Sequence, residues 1–125
     1  MHEDLYGTLR EPVLTNLQSG VDVLIDIDTQ GAATIRNSED PIVRQALADI
    51  FIMPPDVEEL RRRLMKRGTE TAQQIESRLA TAMREMELWR DYRYTIVSGS
   101  IEEDLEKVRN IMSAETFLSR RLTPN

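Results

Sequence analysis

Two aspartates, a run of arginines and a short hydroxyl-bearing string are the groups in this 125-residue chain whose types and spacing can do chemistry. Asp26 and Asp28 close a β-prone run, Val-Asp-Val-Leu-Ile-Asp-Ile-Asp, over residues 21–28. Side chains two apart on a strand face the same way, so both carboxylates would project at its carboxyl end, where open α/β sheets take ligands. A carboxylate there can hold a magnesium ion through its waters or orient a hydrogen-bond donor. Aspartates also simply mark the turn after a strand. The cations are Arg61, Arg62, Arg63, Lys66, Arg67 and Arg78. Arg63 and Arg67 are four apart and share a helix face, with Arg78 near the start of the next helix. Three guanidinium forks converging across a turn can grip phosphate oxygens bidentately. The competing reading is a solvated face, with Glu58 paired to Arg62 and Glu59 to Arg63. Tyr6-Gly7-Thr8 offers a phenol, a flexible glycine and a hydroxyl to a ligand. The same string serves equally as a loop entering a helix capped by Thr8.

Composition removes other chemistries. There is no cysteine, hence no disulfide framework or thiolate metal site, and the lone His2 lies at the terminus, exposed or left from a tag. No serine or threonine has a histidine or lysine placed for a hydrolytic triad, and no His/Glu cluster has metal-ligand spacing. Sixteen basic against 22 acidic side chains, a formal charge of -6, argue against a nucleic-acid surface. No apolar run approaches the roughly 20 residues of a membrane helix, and no signal peptide is visible. A soluble cytoplasmic protein that handles small, locally held polyanions is the expectation.

The elements that must position these groups alternate. Residues 9–17 predict a helix ended by Gly20, and residues 21–28 a buried parallel strand. Residues 32–36 and 43–48 are helical, and Ile50-Phe51-Ile52-Met53 is a second strand stopped by Pro54-Pro55. Asp56 with Glu59, Thr71 with Gln74 and Ser100 with Glu103 mark three helix starts. The helix after Thr71 is expected to run to Arg90, with Met83 and Met86 as core filler and Trp89 as a partly buried anchor at its end. Tyr94-Thr95-Ile96-Val97 is a third strand, and Ile101, Leu105, Val108, Ile111 and Met112 form the apolar stripe of the last helix. Strands alternating with helices specify an α/β fold with a parallel sheet.

Five strings in order resemble the guanylate kinase family: Tyr6-Gly7-Thr8; Asp26-Ile27-Asp28-Thr29-Gln30-Gly31; Phe51-Ile52-Met53-Pro54-Pro55; Leu60 through Arg67-Gly68-Thr69-Glu70; and Ile75 to Ala82 with Arg78. The resemblance runs from Tyr6 to about Phe117. It implies an α/β nucleoside-monophosphate-kinase sheet of the P-loop type, with three core strands retained, the central phosphate-loop strand missing, flanking helices and a helical lid. It implies one domain over residues 1–125: 1–20 ending the GMP region, 21–66 and 79–125 the core, and 67–78 the lid. The implied ligands are ATP, Mg2+ and GMP. Tyr6, Thr8 and Asp28 would bind GMP, Asp26, Arg67 and Ser98 would serve the ATP–Mg2+ centre, and Arg63, Arg67 and Arg78 would clamp the transferring phosphates. No protein side chain is expected to ligate a metal directly.

Two departures from the family pattern matter. No glycine-rich loop ending in Gly-Lys-Ser/Thr occurs anywhere in the sequence, which suggests a truncated, split or misassigned reading frame and a chain inactive alone. Ser98-Gly99-Ser100 stands where the family usually places an asparagine that contacts adenine; stacking on Arg67 could still hold the base. Without the central strand, three outcomes are expected. The strands at 21–28 and 50–53 close up directly, a second copy or a missing amino-terminal segment fills the gap, or the chain is poorly stable. The alternative function is a non-catalytic guanylate-kinase-like module that binds a phosphorylated or nucleotide ligand, and a third is a product without function.

Overall fold

Two of the three β-prone runs form the sheet of this α/β chain. In the computed structural model, which describes residues 2–66, 68 and 70–119 and the side chains from Arg10 onward, the chain separates into compact units at residues 1–49 and 50–125.

In the first unit, α1 (His2–Gln18) packs on α2 (Thr29–Arg36) and α3 (Pro41–Ala46). The helix α1 starts earlier than the apolar spacing predicts, and its backbone carries residues 6–8 as helix rather than loop. Gly20, at φ +79°, ends the turn after α1, where the N–H of Val21 donates to the Asn16 carbonyl at 2.9 Å. That is the left-handed glycine terminator that side-chain-bearing residues resist. Asp28 caps α2, its Oδ1 accepting from the Gly31 N–H at 2.8 Å. Gly31 is required there: a Cβ would meet the Ile27 side chain at 2.5 Å and Asp28 Oδ1 at 3.0 Å. Asp40 caps α3, with Pro41 in the first turn, where its missing N–H costs nothing. Ala32, Ile35 and Val43 are buried, and Arg36 Nε donates to Asp49 Oδ2 at 2.8 Å.

The strand expected over residues 21–28 is not formed; the segment is in no ladder, and Val21, Val23 and Leu24 are exposed. The three-strand sheet is therefore corrected to two strands, and direct closure of residues 21–28 onto 50–53 is overturned. A β-prone run becomes a strand only when a neighbour supplies donors and acceptors for its backbone.

The second unit runs β1 (Ile50–Met53), α4 (Val57–Lys66), α5 (Ala72–Met86), a 3₁₀ turn (Glu87–Asp91), β2 (Tyr94–Val97) and α6 (Ile101–Glu115). β1 and β2 pair in parallel, Ile50 opposite Tyr94 through Met53 opposite Val97. Phe51, Leu79 and Ile96 are buried, and the Phe51 ring meets Tyr92 edge-on at 5.0 Å. Gly68, at φ +70°, follows α4. Thr71 with Gln74 and Ser100 with Glu103 form complete capping boxes, as their spacing predicts. The helix α5 ends at Met86 rather than Arg90, the remainder tightening into the 3₁₀ turn, where Trp89 is partly exposed. The stripe on α6 is mostly uncovered: Ile101 is 84% exposed, Leu105 and Met112 are also exposed, and Met83 on α5 is not core filler. The buried residue of α6 is Glu115, bonded by the Tyr94 hydroxyl and by Arg93 Nε at 3.0 Å. Amphipathic spacing says which face is apolar, and only the neighbours decide whether it is covered.

Candidate functional site

The carboxyl ends of β1 and β2 carry a connected polar network of Arg63, Ser98, Gly99, Asp104 and Lys107. Pro54-Pro55 stops β1, and Asp56 opens α4 by accepting the Glu59 N–H at 2.7 Å. This start sets Glu59, Arg62 and Arg63 on one side of the helix. Glu59 accepts from Arg62 at 2.6 Å and from Arg63 Nε at 2.9 Å. The Glu59–Arg63 pair was expected, whereas Arg62 turns to Glu59 rather than to Glu58. The Arg62 and then the Arg63 hydrogen bonds hold the Glu59 carboxyl below its ordinary range, and Glu59 in turn raises Arg62.

Arg63 reaches further. Its Nη1 donates to Ser98 Oγ at 3.1 Å, so two residues predicted for the site, 35 positions apart, are in contact. Ser98 is buried, at 7% exposure, and its N–H donates to the Met53 carbonyl at 2.8 Å, locking it to the end of β1. Its hydroxyl donates to Asp104 Oδ2 at 2.6 Å, and Asp104 Oδ1 accepts the Gly99 N–H at 2.8 Å. Ser98, then Gly99, with Lys107 and Arg63 adding positive charge, hold the Asp104 carboxyl below the usual carboxylate range. Lys107 Nζ donates to the Val97 carbonyl at 3.0 Å, placing another cation at the same strand end. Sequence reasoning missed Asp104; its signal was an acid just after a capping box, one turn from the loop that the box closes.

The other predicted residues lie as follows. Arg78, half exposed on α5, pairs with Glu70 Oε1 at 2.9 Å, and the buried Oε2 of Glu70 has no hydrogen-bond partner among the described residues. A phosphate would compete with Glu70 for that guanidinium. Arg61 pairs with Glu76, tying α4 to α5. Arg67 lies outside the described residues, and the side chains of Tyr6 and Thr8 lie outside the described ones. In the first unit Asp26 is exposed on the unladdered segment and Asp28 serves as the α2 cap. Without a strand, the alternation that placed their carboxylates together does not operate.

No three of His, Cys, Asp and Glu cluster as a metal site among the described residues. No described helix is long and apolar enough to cross a membrane.

Residues 1–115 match the family model for guanylate kinase. A guanylate kinase of Chelativorans sp. (strain BNC1) is 41% identical over 121 residues, covering 97% of this chain and 54% of that protein. One from Wolbachia pipientis wMel is 36% identical, covering 98% of this chain and 59% of that protein. The crystal structure of guanylate kinase from Anaplasma phagocytophilum superposes with a TM-score of 0.72 at 35% identity, over 90% of this chain and 50% of that one. The chain thus spans about half the length of the relatives it matches.

Proposed function

Since the chain belongs to the guanylate kinase family, we propose that it serves transfer of the ATP γ-phosphoryl group to GMP, yielding ADP and GDP, and that it needs a phosphate-loop segment from elsewhere to turn over. The observation that carries this reading is the Arg63–Ser98 contact at the carboxyl ends of two parallel strands, the edge of an α/β sheet where ligands bind.

Phosphoryl transfer spreads charge over the equatorial oxygens of a loose transition state, so positioned cations do most of the work. Arg63, Arg67 and Arg78 are assigned that task; they remain charged at any working pH and donate in a planar fork. Asp26 is assigned to the waters of a magnesium ion, which when bound neutralises charge on the β and γ phosphates. Tyr6, Thr8 and Asp28 are assigned to GMP, and Ser98 with Arg67 to the adenine end of ATP. Residues 67–78 act as a lid that excludes water, a competing acceptor. The working site is assigned to the cytoplasm, without nucleic acid or membrane.

Backbone amides and a lysine that cradle β and γ phosphates are not encoded in these 125 residues. Among the described residues β1 pairs with β2 alone, so its other edge can accept a strand. A segment carrying the phosphate loop, or a second copy of the chain, is proposed to fill that place. In a coupled ADP-release assay with GMP and ATP, the pure chain should show no turnover, and clear turnover would refute the requirement. The same missing loop favours, as second reading, a module that binds a phosphorylated ligand without catalysis. Calorimetry separates the two: ATP and GMP binding supports the kinase lineage, whereas binding of a phosphopeptide but neither nucleotide supports the module.

A further inference from the structure

The Arg63–Ser98–Asp104 chain has a direction set by proton inventory. Arginine has donors only and an ionised carboxylate has acceptors only, so the single Ser98 proton must point to Asp104 while its oxygen accepts from Arg63. The carboxylate uses both oxygens, one on Ser98 Oγ and one on the Gly99 N–H, so it is braced against rotation. The same hydrogen bonds hold its pKa below the usual carboxylate range and so favour the ionised form. On the far side of the guanidinium, Glu59 Oε1 takes Nε at 2.9 Å. Arg63 is therefore held at two nitrogens, Nε by its own helix and Nη1 by a loop that Asp104 ties to α6, while its side chain stays partly exposed.

We propose that Asp104 is a positioning residue that acts through Ser98 to aim the Arg63 guanidinium at phosphate oxygens. This rests on the reading of Arg63 as a phosphate clamp. It also gives a role to the serine that stands in the place of the family's usual asparagine: Ser98 serves as a relay between a cation and a carboxylate, able toward Arg63 only to accept.

The sign of a charge effect separates aiming from bulk electrostatics. Deleting a carboxylate near an anion site should tighten anion binding if the charge alone matters. If Asp104 aims Arg63, deletion should weaken binding instead. On the full 125-residue chain, with inorganic tripolyphosphate and ATP as probes, Asp104→Asn and Ser98→Ala should each weaken binding roughly threefold to tenfold, the scale of one ordinary hydrogen bond. Ser98→Thr, which retains the hydroxyl, should bind tripolyphosphate, which has no adenine, more tightly than Ser98→Ala. Side-chain nitrogen NMR should show freer rotation of Arg63 Nη1 in both weakened variants. Ser98→Ala leaves the Asp104–Gly99 bond intact, so it reports even where the Asp104 variant folds poorly. Unchanged or tighter binding in Asp104→Asn, together with unchanged binding in Ser98→Ala, would overturn the proposal. If the wild type binds neither probe, the phosphate-clamp reading fails, and aiming is decided by Arg63 mobility alone, where no change in either variant overturns it.

Discussion

Both units of this chain contain short β-prone segments with aspartate or proline punctuation, but their fates differ. In residues 50–125, Ile50–Met53 and Tyr94–Val97 pair over four residues and bury Phe51 and Ile96. In residues 1–49, the longer run at 21–28 is in no ladder among the described residues, and Leu24 is 79% exposed. The longer run is the one that fails. Strand propensity describes fit to a pleated, half-buried surface, and such a surface has to be supplied by other segments.

The largest contrast should appear in hydrogen exchange. Amides of residues 50–53 and 94–97 that serve the ladder should exchange on the order of 100-fold more slowly than those of 21–28, which lack a ladder to open. Equal strong protection of 21–28 in the monomer would break the comparison. Adding a phosphate-loop segment that fills the free edge should sharpen it, by slowing 50–53 further.

Identical side chains give the next test. Leu79, 3% exposed on α5, should cost about 2–5 kcal/mol when changed to alanine, through lost burial and a cavity. Leu24→Ala should stay within about 0.5 kcal/mol. Urea denaturation reads both, and a comparable loss at Leu24 would mean that the first unit covers it after all.

The smallest effect is on acid stability. Asp104 has a folded pKa below its unfolded value of about 3.9. Its contribution is therefore complete above that value and is lost as pH falls through the lower folded pKa. Glu59 and Glu103 are lowered in the same sense, so they add to the acid slope. Asp104→Asn should make the fall in urea midpoint between about pH 5 and pH 2 shallower, and an unchanged slope would detach Asp104 from the network.

How much of this was legible beforehand depends on range. The capping boxes at Thr71 and Ser100, the stop at Pro54-Pro55 and both paired strands could be read directly, because each is decided within a few residues. Arg63 and Ser98 could be chosen from family strings, but their meeting spans 35 positions and no local rule contains it. Asp104 left a local signal, an acid just after the Ser100–Glu103 capping box with Ser98 and Gly99 within six positions, but its link through Ser98 to Arg63 is long-range. Glu70 as the partner of Arg78, and Glu115 as the buried acid of α6, are likewise products of packing.

The amino-acid sequence by itself determined the capped helix starts after Asp56, Thr71 and Ser100, the glycine stops at Gly20 and Gly68, and which side chains carry usable charge, since caps and left-handed glycines act over one or two turns. Tertiary structure alone decided which β-prone runs found partners, which apolar stripes were covered and which arginine was aimed. Hydrogen-bond ladders and burial are properties of neighbours, and a segment cannot supply its own.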